Sequence, residues 1–235
     1  MENFKYLDIF ATKGIEYIAV LAFLATLVIF WRLLNTSKPE NKISEPLDKV
    51  KTTLVDWFYL ANDFFYHQGH TWAKAENENI VRVGMDDFSK KLVGSPDMFN
   101  LPETGSVLKQ GEIGWKLHFK NKTIDMLSPV NGEVVEVNEE ILRHPKLIEE
   151  DPYQKGWLLK VKPSKFAVDS KNLLSGDLAK AWLENGVNTI SNTISGNYGI
   201  ILQDGGTIKD GFAREIYAEK WDTMAKKFFK SSELN

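Results

Sequence analysis

The chain has 235 residues, enough for one domain with appendages, and a nearly balanced formal charge of −3 with a pI of about 5.9. Its basic residues are scattered and form no stripe interleaved with aromatic residues, which argues against a nucleic-acid partner. The absence of cysteine excludes disulfides, thiolate metal sites, iron–sulfur clusters and cysteine nucleophiles.

Residues 1–14 form a short segment of mixed charge. Ile15 to Leu34 (IEYIAVLAFLATLVIFWRLL) is then apolar without a break from Tyr17 to Trp31. A helix of this length spans roughly a bilayer core, with Tyr17 and Trp31 placed as interfacial aromatics. The core is too long for a cleaved secretory signal, the preceding flank is not clearly basic, and no small-residue cleavage site follows. A single-pass transmembrane helix is the expectation. Lys5 and Lys13 precede it, whereas Arg32, Lys38, Lys42, Lys49 and Lys51 follow. The positive-inside rule therefore puts the C-terminal side in the cytoplasm, at the inner membrane.

Residues 35–46 (NTSKPENKISEP from Asn35) are polar, carry two prolines and read as a linker. Over 47–61, Val50, Leu54, Trp57, Phe58 and Ala61 recur at helical spacing and predict an amphipathic helix. Packing on the globular domain is its plainest use, and Trp57, Phe58 and Tyr59 in succession keep a membrane-interface role open.

Residues 62–185 read as a mainly β domain with small helices. Strands are expected at Thr71–Ala75, Ile80–Val83, Leu117–Phe119, Glu133–Val137 and Trp157–Lys162, and a short helix at Asp86–Val93. Trp115, Leu117 and Phe119 alternate with polar neighbours, and Ile124, Met126 and Val130 resume the alternation, so the simplest structure is a hairpin with its tip at Lys120–Lys122. Asn121 suits such a tip because it tolerates left-handed backbone angles. Pro129 and Asn131-Gly132 then punctuate the chain before the next strand.

In residues 186–235, Ser195-Gly196-Asn197, Gln203-Asp204-Gly205-Gly206 and Lys209-Asp210-Gly211 are turn signals. Tyr198–Leu202 and Thr207-Ile208 predict a small hairpin. Phe212–Lys230 predicts a helix with Phe212, Ile216, Tyr217, Met224, Ala225 and Phe228 on one stripe. Asp204 and Asp210 would repel an anion, so the glycines read as ordinary turns.

The ordered run of His70-Thr71-Trp72, Val83-Gly84-Met85, Asp87-Phe88, Gly94, Leu101-Pro102-Glu103, Ser128-Pro129-Val130, Gly132 to Asn138, Asp151-Pro152-Tyr153 and Gly156-Trp157-Leu158 resembles the glycine cleavage system H protein family. The resemblance covers roughly residues 64 to 185. It implies a flattened β-sandwich, the barrel-sandwich hybrid of lipoyl domains, with a helical excursion at Asn138 to Leu147 and the Asp151-Pro152 turn and a terminal helix at Ser175–Asn185 capped by Ser175 or Asp177, and it identifies Gly114–Asn138 with the lipoyl-bearing hairpin. In the family the lipoyl lysine stands four residues before an Asp that introduces the Ser/Ala-Pro step. Counting back from Asp125 reaches Asn121, which cannot form the lipoyl amide, and the family's acidic residue three positions earlier is His118 here. Lys120 and Lys122 flank the gap out of register.

The expectation is a non-enzymatic, non-lipoylated accessory subunit of a membrane complex of the redox or energy-conserving kind. Its partners are the bilayer and other subunits, with no cofactor, metal or small-molecule substrate. The alternative is a membrane-tethered lipoyl carrier, covalently modified on Lys122 or Lys120. His67, His70, His118 and His144 are not at metal-ligand spacing, and His70 reads as structural. The acidic pairs Asp86-Asp87, Glu139-Glu140 and Glu149-Glu150 do not share a helix face and suggest no catalytic pair.

Overall fold

A computed structural model of the chain describes residues 13–35, 50–194 and 208–231. The chain divides into two compact units, Met1–Lys49 and Val50–Asn235.

The first unit contains one helix, α1 (Lys13–Asn35), with the large hydrophobic side chains described from Tyr17 to Trp31 all exposed. Among the described residues no helix is long and apolar enough to cross a membrane. The span expected at Ile15–Leu34 is therefore not shown. Within the 23 residues of α1, the unbroken apolar run Tyr17–Trp31 accounts for roughly 22 Å. The linker expected at 35–46 lies outside the described residues apart from Asn35, which ends α1.

The second unit opens on a hairpin, β1 (Thr52–Val55) and β2 (Phe58–Ala61), paired from Thr52↔Ala61 to Val55↔Phe58. This corrects the amphipathic helix expected over 47–61. Two threonines and a valine favour extended backbone. Asp56 takes a left-handed turn conformation at φ 50°, so Asp56-Trp57 reverses the chain where a helix would continue. Of the residues on the expected helical stripe, Phe58 and Ala61 are buried in the hairpin together with Val55 and Leu60, whereas Leu54 is exposed.

Then follow β3 (Phe65–His67), β4 (Thr71–Ala75), β5 (Val81–Met85), α2 (Asp87–Val93), β6 (Met98–Asn100), β7 (Val107–Leu108), β8 (Ile113–Phe119), β9 (Lys122–Leu127) and β10 (Gly132–Val137). Next come α3 (Glu139–Arg143), α4 (Leu147–Glu150), β11 (Leu159–Pro163), α5 (Phe166–Asp169) and α6 (Gly176–Ile194). The strands form a six-stranded antiparallel sheet, β3-β4-β5-β11-β10-β7, and a three-stranded sheet, β6-β8-β9. The expected mainly β domain with added helices is the observed architecture. The two sheets share one core, in which Trp72, Leu117, Met126, Val134 and Val161 are almost wholly buried. The strand expected at Ile80–Val83 begins one residue later and runs on to Met85, and α6 runs on past Asn185 to Ile194 because Val187 and Ile190 extend its buried face.

The C-terminal segment does not form one helix. It divides into α7 (Phe212–Ile216), a 3-10 turn (Ala218–Lys220) and α8 (Trp221–Phe228). The break rotates the stripe: Phe212, Ala213, Trp221, Ala225 and Phe229 are buried, whereas Ile216, Tyr217 and Phe228 are only partly so. The small hairpin expected at Tyr198–Ile208 lies, apart from Ile208, outside the described residues.

Candidate functional site

The hairpin β8–β9 is where the sequence placed it. Phe119 pairs with Lys122, His118 with Thr123 and Leu117 with Ile124, leaving Lys120-Asn121 as a two-residue turn. Period-two alternation drives Trp115, Leu117, Phe119, Ile124 and Met126 inward. The polar side chains of the same strands make short local contacts. His118 Nδ1 lies 3.1 Å from Thr123 Oγ1, and Lys116 Nζ lies 3.2 Å from Asp125.

The tip differs from expectation in one respect. The left-handed residue is Lys120, at φ 44°, and not Asn121. The reason is tertiary. The Lys120 backbone N–H donates to Asp97 Oδ2 at 2.5 Å, from the segment leading into β6. That bond turns the peptide at Lys120, and Asn121 closes the loop without positive φ. Lys120 and Asn121 are both exposed.

Lys122 stands one residue beyond the tip, and its surroundings are different. Its ammonium donates to the Asp222 carboxylate at the start of α8 and to the Glu219 backbone carbonyl in the 3-10 turn. Burial alone would push the Asp222 carboxyl up, but the hydrogen bond and charge of Lys122, with help from Lys226, hold it below its ordinary value. Beside this ion pair, Trp221 packs edge-on to Phe119 with ring centroids 5.0 Å apart at 82°. The Arg214 guanidinium lies 5.3 Å from the centroid of the same Phe119 ring. Of the two lysines flanking Asn121, one is open at the turn and the other is engaged by the C-terminal segment.

The remaining residues singled out in the sequence lie away from the tip. His70 is buried, with Nδ1 2.8 Å from Asp86 and its ring stacked on Phe88 at 3.9 Å. Asp86 also caps α2 by accepting from Ser89 N at 2.8 Å. Asp87 is equally buried. It is paired with Lys90 at 3.0 Å and accepts from Tyr59 N at 2.8 Å. Asp86-Asp87 is thus a pair of structural anchors, and sequence spacing gave no sign that Asp86 would meet His70. His67 is half-buried and accepts from Gly69 N at 3.0 Å; burial, then the nearby His70, lowers its pKa. His144 ends α3, Glu139-Glu140 open it under an Asn138 cap, and Glu149-Glu150 lie on α4. Among the described residues no group of three or more histidines and carboxylates is placed to hold a metal ion.

A cavity of about 340 Å³ lies between α6, α8 and the β3–β4 turn, beside His70, Trp182, Met224 and Phe228. The sequence missed it, together with the docking of the C-terminal segment on the hairpin. The only local signal was the spacing of Trp221, Ala225 and Phe229, which share a face once α8 starts afresh at Trp221.

The glycine cleavage H-protein family matches residues 64–186 of the chain. The chain is 33% identical over 131 residues to a probable glycine cleavage system H protein of Thermococcus gammatolerans, covering 56% of this chain and 97% of the relative. It is 36% identical over 127 residues to the glycine cleavage system H protein of Carboxydothermus hydrogenoformans, covering 54% of this chain and 97% of the relative. A crystal structure of a glycine cleavage system H protein from Mycobacterium marinum aligns at 30% identity and a TM-score of 0.42, covering 45% of this chain and 87% of that one. The matched region holds both sheets and ends inside α6.

Proposed function

This chain belongs to the glycine cleavage H-protein family, and on that premise we propose that it is a membrane-anchored accessory subunit whose hairpin carries no lipoate. The observation that carries the proposal is Asn121 at the turn, where the family's pattern sets a lysine. A lipoyl amide forms on a primary amine at the end of a long flexible side chain. Asn121 offers only a short carboxamide, whose nitrogen lone pair is delocalised into its own carbonyl. What the domain retains is a rigid surface, and a rigid surface with no carrier arm is suited to holding other proteins. In this reading the chain is not an enzyme.

Helix α1 supplies the anchor. Its 23 residues reach about 34 Å, and Ile18, Leu21, Phe23, Val28 and Phe30 are among its exposed hydrophobics. A helix apolar around its circumference is stable only where lipid or protein covers it. The bias of basic residues after the helix places the C-terminal domain on the cytoplasmic side of the inner membrane. The partners are the bilayer and the other subunits of a membrane complex of the redox or energy-conserving kind.

A second reading, a membrane-tethered lipoyl carrier, is favoured by the exposed Lys120 at the turn and by the names of the relatives. One experiment separates the two. The chain is extracted from native membranes in mild detergent, and its intact mass and co-purifying proteins are measured. An unmodified mass with stoichiometric membrane subunits is expected. A lipoyl mass on Lys120 or Lys122, or recovery in the soluble fraction as a lone monomer, overturns the proposal.

A further inference from the structure

We infer that residues 208–231 are a built-in cover over the hairpin, which withholds Lys122 from acyl transfer and leaves Lys120 as the amine the tip presents. The inference concerns the reactivity of the loop and stands apart from the chain's role in a complex.

The cover is fastened at both ends and in its middle. At its start, Gly211 N donates to Lys91 O at 2.7 Å, and Lys90 lies 3.8 Å from Asp210. Phe212 and Phe229, near its two ends, are fully buried. At its end, the chain passes so close to the β3–β4 turn that a Cβ on Gly69 would lie 2.6 Å from the Phe229 carbonyl oxygen. Its middle carries the chemistry. Trp221 covers one side of Phe119 and Asp222 takes the Lys122 ammonium. Only 24% of the Lys122 side chain is exposed.

Acyl transfer to a lysine needs the nitrogen lone pair directed at a carbonyl carbon with room for a tetrahedral centre. The Lys122 nitrogen has its protons committed to a carboxylate and a backbone carbonyl and is flanked by the α8 start. It must leave both acceptors and lose a proton before it can attack. Lys120 lies on the open side of the turn, and only its backbone N–H is tied, to Asp97. Two lysines two residues apart thus present opposite reactivities, and the difference is made by a segment beyond the family-matched region.

The test is limited acetylation of the full chain in detergent with the N-hydroxysuccinimide ester of acetic acid. The lysine nitrogen attacks the ester carbonyl, N-hydroxysuccinimide leaves, an amide forms and the proton passes to buffer. Peptide mass spectrometry then reads the rate at each lysine. Lys120 is expected to react at least tenfold faster than Lys122. Asp222→Asn should raise the Lys122 rate several-fold. Trp221→Ala should bring it within about twofold of Lys120, with circular dichroism reporting that the β domain stays folded. Equal rates in the unaltered chain overturn the inference, and so does an unchanged Lys122 rate in Asp222→Asn, which keeps every apolar contact of the cover. A lipoyl group found natively on Lys120 would defeat the proposed function and leave the cover standing. One found natively on Lys122 would defeat both.

Discussion

Gly132 pairs with Pro163 across β10–β11 and runs so close to Lys162 that a Cβ on Gly132 would lie 2.3 Å from the Lys162 carbonyl oxygen. The same carbon would meet Val161 Cγ1 at 2.7 Å. Gly132 does not have positive φ, so its role is close approach of two backbones. Gly132→Ala should therefore force the strands apart and lower stability by about 2–3 kcal/mol. A drop in the urea midpoint of the second unit checks it. A variant as stable as the parent would show that β11 can shift at no cost.

At the hairpin tip, the left-handed backbone of Lys120 costs roughly 1 kcal/mol for a residue with a Cβ. Lys120→Gly should raise stability by about 0.5 kcal/mol once the added freedom of glycine in the unfolded chain is subtracted. Asn121→Gly, at a position without positive φ, should lower it by about the same amount. Chemical denaturation of the two variants side by side tests which residue turns the chain.

Two buried phenols make stability fall in alkali. Tyr66 donates to Ala61 O at 2.9 Å and Tyr153 to Tyr59 O at 2.6 Å. Burial pushes both pKa values well above the ordinary phenol value, and the charges of Asp86 and Asp87 push the same way. The sign follows from linkage. In the unfolded chain these phenols ionise from about pH 10, whereas in the folded chain they stay neutral. The stability they contribute is complete below that pH and is lost as the pH rises through and beyond it. Absorbance at 295 nm should show the last phenolates appearing only as near-ultraviolet circular dichroism collapses. Full ionisation in a chain that keeps its circular dichroism would contradict this.

The turn itself remains able to present an amine. Lys120 and Asn121 are exposed, and the cover engages Lys122 but neither of these two side chains. Asn121→Lys restores a lysine four residues before Asp125. Expressed where H proteins are lipoylated, that variant should gain a lipoyl mass on residue 121 that the parent lacks. If it stays unmodified, His118→Glu combined with Asn121→Lys tests whether the missing acidic neighbour is the obstacle.

The long-range ties of the domain explain which expectations failed. The helix expected over 47–61 rested on Val50, Leu54, Trp57, Phe58 and Ala61. Spacing of four fits one face of a helix, yet it also fits two short strands that bury unequal faces. The choice was made by Phe58 packing at a tilt against Phe88, with ring centroids 4.9 Å apart, and by Trp57 O accepting from Lys91 at 2.5 Å, contacts with residues some thirty positions away. In the same way, Asn121 has the intrinsic preference for left-handed backbone, but Asp97 holds Lys120 there instead.

The order of amino acids alone determined the strands with clean alternation, the β8–β9 hairpin with its tip, the short helix α2, and the absence of a lysine at position 121. Those features depend on neighbours within a few residues, where side-chain period and turn chemistry act directly. Only the folded chain decided that Asp86 meets His70, that Gly132 is pressed against Lys162, and that Trp221 and Asp222 close over Phe119 and Lys122. Each joins residues far apart along the chain, and such contacts are selected by the packing of the whole domain, which no local pattern encodes.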